Sequence, residues 1–352
     1  MIRVLIADDS ATARQLLRTL IELDPDLELA GEARDGEEAV RLALELEPDV
    51  ITMDLMMPRI SGFDAIRAIR AAGGPPVIVV SSALDPEDGE RTFSALELGA
   101  VSVQAKPHGL PDRDPRAAAL LAELEAVGGE GKPRPGVVPP VPTAVERRDQ
   151  QRVQAVGIAA STGGPLALLE LLRSLGRHVP VPILVVQHIT PGFLEGMAAW
   201  LERSSGVPVM LASDGMRASP GIFMAPDGHH LLLGRRGVLR LEGGSPGELH
   251  RPSADRLFRS MAETAGAGGV GVILTGMGND GAAGLAELHR RGGLVLAQDR
   301  ESSVVWGMPG AAVAAGAVDE VLPIASLGMR LRQILTPGGG TAGGKGGKDH
   351  GG

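Results

Sequence analysis

Short apolar, β-branched runs alternate with stretches whose apolar positions recur every three to four residues, and this rhythm occupies the first third of the chain. "RVLIA" at 3–7, "LELAGEA" at 27–33, "DVITMD" at 49–54, "PVIVVSS" at 76–82 and "VSVQAKP" at 101–107 read as strands. Between them lie helical patterns, one with an apolar face of Ala13, Leu16, Leu17, Leu20 and Leu23, another over Glu37 to Leu46. Strands that alternate with helices predict an α/β fold, here a doubly wound domain with a mainly parallel sheet. The rhythm resumes with "VQAVGIA" at 153–159, "VPILVVQH" at 181–188, "GVGVILT" at 269–275 and "GGLVLAQD" at 292–299, so the second half is predicted to be α/β as well. A stretch from Val207 to Glu242, containing "GIFMAPDGHHLLLG", reads as a hairpin-like insert.

The two halves are divided at "GGEGKPRPGVVPPVP", Gly128 to Pro142, where nine of fifteen residues are glycine or proline. Such a segment favours neither helix nor strand. The organisation expected is therefore a domain over 1–127, a linker over 128–151, a second domain over 152–336 and a glycine-rich, disordered tail over 337–352. The formal net charge of −9 argues against nucleic acid or an anionic membrane as the main partner. Without cysteine, disulfides, zinc–thiolate sites and a thiol nucleophile are excluded. The start, "MIRVLIADDS", reads as a strand rather than a signal peptide, and no apolar run is long enough to span a bilayer, so a soluble, cytoplasmic protein is expected.

In an open parallel sheet, ligands bind beyond the carboxyl ends of the strands. In the first domain those ends carry Asp8, Asp9 and Asp54, a carboxylate cluster suited to a hard divalent cation such as Mg²⁺. Lys106 ends the last strand and Ser81 and Ser82 the fourth, offering a cation and a hydroxyl to a phosphoryl group. Taken singly, aspartates and serines at strand ends are turn-formers and helix caps, as Ser10 is expected to be. Together, "LIADDS", "MDLMMPRISG", "VSSAL" and "AKP" resemble response-regulator receiver domains in order and spacing. The resemblance implies phosphorylation of Asp54, with Mg²⁺ held by Asp9, Asp54 and the carbonyl of Met56, assisted by Asp8. It makes Ser81 (Ser82 as the nearby alternative) the switch hydroxyl and Lys106 the phosphate contact. Val103 stands where that family commonly carries its switch aromatic, a departure that touches signal output rather than phosphoryl acceptance.

Three strands of the second domain end in polar residues: Ser161 and Thr162 in "AASTGGP", His188 in "VVQHITPG", and Asp280 in "TGMGNDG". They supply a hydroxyl, an imidazole and a carboxylate, the components of a nucleophile, base and orienting acid. Each has a plainer reading: Ser161 or Thr162 as cap of a helix starting at Pro165, His188 as a strand-end histidine, Asp280 as cap of a helix over Ala282 to Arg290. A phosphate cradle at the glycine turn is disfavoured, because neither G-x-G-x-x-G nor a lysine-bearing P-loop is present. His178, His229, His230, His250 and His289 are less well placed for the crevice. The order Ser, His, Asp and the turn Ala-Ala-Ser-Thr-Gly also depart from an α/β-hydrolase.

With "GIAASTGGP", "VVQHI", "MAPDGHHL", "HRPSADRLFRS", "VILTGMGNDGA", "AQDRESSVVWGMP" and "GAVDEVLP", residues 153 to about 335 resemble the chemotaxis protein-glutamate methylesterases, the receiver-linked methylesterase/deamidase family. That resemblance implies Ser161 as nucleophile, His188 as base, Asp280 as orienting acid, the backbone N–H of Met277 as oxyanion donor and Thr162 close to the site. It implies chemoreceptors as substrate, a chemotaxis-type histidine kinase as phosphodonor, and no cofactor for the esterase. A non-enzymatic two-domain adaptor ranks well behind, since it has no need of the three strand-end groups. A receiver-linked transcription regulator ranks last, for want of a basic recognition helix.

Overall fold

The computed structural model describes residues 1–82, 86–129, 152–177, 179–244, 248 and 250–336. The first domain runs β1 (Ile2–Ala7), α1 (Ala11–Leu23), β2 (Leu27–Ala33), α2 (Gly36–Leu46), β3 (Val50–Met53), α3 (Gly62–Ala71), β4 (Val77–Ser81), α4 (Pro86–Glu97), β5 (Ser102–Ala105) and α5 (Pro115–Gly129). Its strands lie in the order β2-β1-β3-β4-β5 and every pairing is parallel. The chain reverses direction across the sheet between β1 and β3, so the residues after those strands share one crevice. Ser10 caps α1 as expected, its hydroxyl accepting from Ala13 N. The buried face of α1 is Leu17, Leu20 and Ile21; Leu23, expected on that face, falls at the exposed end of the helix.

The expected boundary at Gly128 shifts, because α5 continues through Gly129. A Cβ on Gly128 would come within 2.3 Å of Ile2 Cγ2. Glycine here lets the last turn of the helix close onto β1, so these two glycines belong to the packed domain. The remainder of the linker (130–151) and the expected tail (337–352) lie outside the described residues.

The second domain comprises β6 (Ala155–Ala160), α6 (Gly164–Leu175), β7 (Pro182–Gln187), α7 (Leu194–Ser205), β8 (Val209–Leu211), β9 (Gly221–Met224), β10 (His229–Leu233), β11 (Leu239–Gly243), α8 (Ala254–Thr264), β12 (Gly269–Ile273), α9 (Ala282–Arg290), β13 (Leu294–Gln298), α10 (Gly307–Ala314), β14 (Glu320–Leu322) and α11 (Ile324–Leu335). Seven strands form a parallel sheet in the order β14-β13-β12-β6-β7-β9-β8. The hairpin-like reading of Val207 to Glu242 is thus half corrected. β8 and β9 extend the main sheet, while β10 and β11 alone form an antiparallel hairpin. Ile222, Phe223 and Met224 of β9 are all buried, which an edge hairpin exposed on one face would not allow.

Strand β6 is the switch point of this sheet: the chain proceeds to β7 on one side and returns to β12 on the other. The segments following β6, β7 and β12 therefore meet at one mouth. Against that mouth lies the first domain. Phe93 of α4 stacks on Trp200 of α7 at 5.7 Å and meets Phe193 edge-on at 6.3 Å. Glu97, at the end of α4, accepts from Trp200 Nε1 (3.1 Å), Ser204 Oγ (2.8 Å) and Arg173 Nη2 (2.8 Å). Gly89 and Gly196 face each other so closely that a Cβ on Gly196 would lie 2.8 Å from Gly89 backbone. Side chains would hold α4 and α7 apart there.

Candidate active site

The apolar strand β6 stops at Ala160, and the polypeptide turns sharply before α6. Gly163 takes φ of 75°, the left-handed region, and is itself the residue preceding the helix, with no side-chain cap. Neither Ser161 nor Thr162 therefore serves as the helix cap, and the Ser161 hydroxyl is left for other chemistry. Gly276, in the turn after β12, lies so near that a Cβ on it would sit 2.6 Å from Ser161 Cβ. Buried Gln187, at the end of β7, donates through Nε2 to the carbonyls of Ser161 (2.9 Å) and His188 (2.8 Å), tying the two strand ends together. Thr275 holds the third, its hydroxyl donating to Thr162 O at 2.9 Å.

His188 Nε2 lies 3.0 Å from Asp280 Oδ2. Since an ionised carboxylate only accepts, this bond places the proton on Nε2 and leaves Nδ1 as the basic nitrogen. Asp280 does not cap α9, the plainer alternative. Instead it accepts from the start of α8: from Ser253 Oγ (3.0 Å), Ala254 N (2.7 Å) and Asp255 N (3.0 Å). Asp255 in turn accepts from Gly281 N (3.1 Å) and Gly284 N (2.7 Å) at the start of α9, so the two aspartates cap each other's helices. Burial opposes the Asp280 charge, yet His188 and the α8 N–H groups outweigh it and hold the carboxyl well below the usual range.

Ser161, Thr162, His188 and Met277 line one cavity of about 540 Å³. No Ser161–His188 hydrogen bond is formed among the described residues, an arrangement common in sites that tighten only around substrate. The other wall of the cavity comes from the first domain, through Gln104, Pro115, Arg116, Ala119 and Glu123. Gln104 Oε1 also accepts from Thr190 Oγ1 at 3.1 Å.

Five supporting residues escaped sequence reasoning. Gln187 and Thr275 read only as strand termini. Ser253 had a helix-start signal but nothing to connect it with Asp280. His250, passed over in an irregular segment, stacks on His188 with centroids 4.6 Å apart and planes 8° apart. Burial and the neighbouring His188 both lower its pKa, favouring a neutral ring. His230 is fully buried and accepts from Ser253 N at 3.1 Å, bracing the cap that holds Asp280. His289 pairs with Asp319, away from the cavity, and His178 lies outside the described residues.

The first domain brings Asp8, Asp9 and Asp54 together, with one oxygen from each within 4.8 Å of the others. Lys106 Nζ sits 2.8 Å from Asp8 Oδ2 and 2.9 Å from Asp54 Oδ2. Burial raises the Asp54 pKa and Lys106 only partly offsets it. Burial likewise disfavours the Lys106 charge, but both aspartates reverse this and raise its pKa. Ser81 is buried at the end of β4, Val103 is buried beside Val79, and Met56 is exposed with its N–H directed at Asp54.

Fold and site together define a class: a receiver-type domain with an acidic pocket, joined to a parallel α/β domain that gathers serine, histidine and aspartate at its switch point. Residues 4–112 match the response regulator receiver domain family and residues 156–331 the CheB methylesterase family. The chain is 43% identical over 348 residues to a protein-glutamate methylesterase/protein-glutamine glutaminase of Myxococcus xanthus, covering 96% of this chain and 98% of that one. A similarly named protein of Geobacter metallireducens is 42% identical over 334 residues, covering 92% and 96%. The crystal structure of the Thermotoga maritima CheB methylesterase catalytic domain aligns with a TM-score of 0.50 and 36% identity, covering 52% of this chain and all of that one. This chain belongs to the CheB methylesterase family, in its receiver-linked form.

Proposed function

We propose that the protein is a phosphorylation-regulated serine esterase that hydrolyses glutamate methyl esters on chemoreceptors and deamidates receptor glutamines. The observation that carries this reading is the convergence of three strand ends on one cavity, with His188 bonded to an Asp280 that α8 keeps ionised. Ser161 Oγ attacks the ester carbonyl as His188 Nδ1 takes its proton, and Asp280 stabilises the imidazolium that forms. Backbone donors beside the turn, Met277 N–H among them, meet the developing oxyanion, each worth on the order of 3 kcal/mol. His188 returns the proton to the departing methoxide, and methanol leaves. Water then attacks the acyl-enzyme with the same base and frees the glutamate; a glutamine releases ammonia by the same route. No metal is needed by these steps.

In the receiver, three carboxylates face one ammonium, so the pocket carries an excess of negative charge from oxygen donors only, which fits a hard divalent cation. Asp9, Asp54 and the Met56 carbonyl, assisted by Asp8, would hold Mg²⁺, which when bound neutralises charge as a dianionic phosphoryl group approaches. Asp54 is the phosphoryl acceptor, Lys106 contacts the product and Ser81 is the switch hydroxyl. A histidine kinase of the chemotaxis type is the phosphodonor. Because the receiver forms one wall of the esterase cavity, phosphorylation relieves a docked, closed state by population shift.

The test is methanol release from methylated receptor membranes. Wild type should release it, while Ser161→Ala and His188→Ala should each lower kcat by roughly 10⁴-fold with unchanged circular dichroism. Near-normal turnover by a folded Ser161→Ala protein would overturn the nucleophile assignment.

A further inference from the structure

One buried ionisable group has no part in either chemistry. Glu123, on the receiver helix α5, is 2% exposed and lines the esterase cavity beside Ser161 and Thr162. Its Oε2 accepts from Gln104 Nε2, and Gln104 in turn reaches across to Thr190. Its Oε1 is buried without a hydrogen-bond partner. An ionised carboxylate with an orphaned oxygen and no cation against it is expensive to bury, whereas a protonated carboxyl is not.

From this juxtaposition we infer that Glu123 is a proton-linked latch, buried as the neutral acid when the receiver docks on the esterase and released as the carboxylate when it undocks. The inference rests on the reading that the docked receiver restrains the esterase, and it adds acidity as a second input beside phosphorylation.

The surroundings support the sign. Burial raises the Glu123 pKa to about 7, against the hydroxyls of Ser102 and Thr162 and the Gln104 amide, which favour the charge. The ionisable groups around the same cavity are Arg116 on α5, His188 after β7, and Glu248, His250 and Arg251 before α8. None of them contributes to that balance; Arg116 is bonded to Asp114. Lys106, beyond the end of β5, is engaged by Asp8 and Asp54, and Glu125 on α5 faces Asp24 and Asp26. Exposed to water, Glu123 would titrate near 4.3. Docking therefore takes up a proton between about pH 4.5 and 7 and weakens as pH rises through that window, by up to tenfold per unit; above about pH 7 the dependence levels off. Acid favours the closed enzyme.

The chain has no cysteine, so one label can be placed on each domain through Leu44→Cys and Met329→Cys, both exposed positions. Single-molecule energy transfer in the full-length protein then reads the ratio of docked to undocked molecules. In wild type that ratio should fall about tenfold or more from pH 5.5 to 7 and change little from 7.5 to 8.5. In Glu123→Gln and Glu123→Leu, both always neutral, it should change less than twofold over the whole range. Changes at other interface groups would appear equally in the variants, so a pH slope shared by wild type and both variants overturns the latch. A flat wild-type profile in a protein that phosphodonor still opens overturns the latch and leaves the restraint intact. A label distance that ignores phosphodonor, with every protein undocked at every pH, overturns the restraint and the latch together.

Discussion

Asp280 illustrates how much one side chain carries at this site. It bonds His188, caps α8 and is held ionised by both. Asp280→Asn keeps the shape but replaces one acceptor oxygen with an amide that must face either His188 or the α8 N–H groups. We expect kcat to fall by about 10³-fold and stability by about 2 kcal/mol at pH 7. The stability part has a defined pH dependence. A carboxyl whose folded pKa is depressed stabilises the fold above its unfolded value of about 3.9, and that contribution is lost as pH falls through the folded value. The gap in urea midpoint between wild type and variant should therefore narrow below about pH 4; a gap that widens in acid would contradict the assignment of an ionised Asp280.

Between elements, the contact of α4 with α7 joins the receiver to the esterase domain. Phe93, Phe193 and Trp200 bury their rings together, and Glu97 gathers three donors from the esterase domain. Burial disfavours the Glu97 charge, but Ser204, Arg173 and Trp200 outweigh it and lower its pKa. Truncating Glu97 to Ala leaves the Trp200 indole and the Ser204 hydroxyl without that acceptor, while Phe93→Ala opens a void at the interface. Either change should raise methanol release by unphosphorylated protein several-fold and leave the phosphorylated rate within twofold. An unchanged basal rate in both variants would show that this contact does not limit access.

At the scale of the whole molecule, the receiver and esterase share one chain, so even a weak interface is well occupied. Phosphodonor with Mg²⁺ should accelerate full-length protein, and Asp54→Asn should abolish both the acceleration and labelling by the phosphodonor. The motive is the carboxylate cluster, whose negative charge bars a dianionic group until a cation offsets it. Persistent, Mg²⁺-independent labelling of Asp54→Asn would remove Asp54 from the role. Val103, buried beside Val79, lacks the ring that often reports the switch in receivers, while the receiver meets the esterase domain through Phe93 of α4, Gln104 of β5 and Glu123 of α5.

Local pattern alone determined the alternation of strand and helix, the order of the two domains and the polar groups at strand ends, because these depend on periodicity and on residues adjacent in the chain. It placed Ser161, His188 and Asp280 at three strand termini, and it placed Asp8, Asp9, Asp54 and Lys106 likewise. Tertiary structure alone decided which helix Asp280 caps, since a carboxylate before α9 and a helix start 26 residues earlier are neighbours only after folding. It also moved β8 and β9 into the main sheet, where burial of β9 on both faces outweighed the turn signals that suggested a hairpin. His250 against His188 and Glu123 beside the Ser161–Thr162 turn were illegible for the same reason: each brings together segments whose sequences say nothing of one another. Periodicity dictates which face of an element is buried; only the packed chain dictates against what.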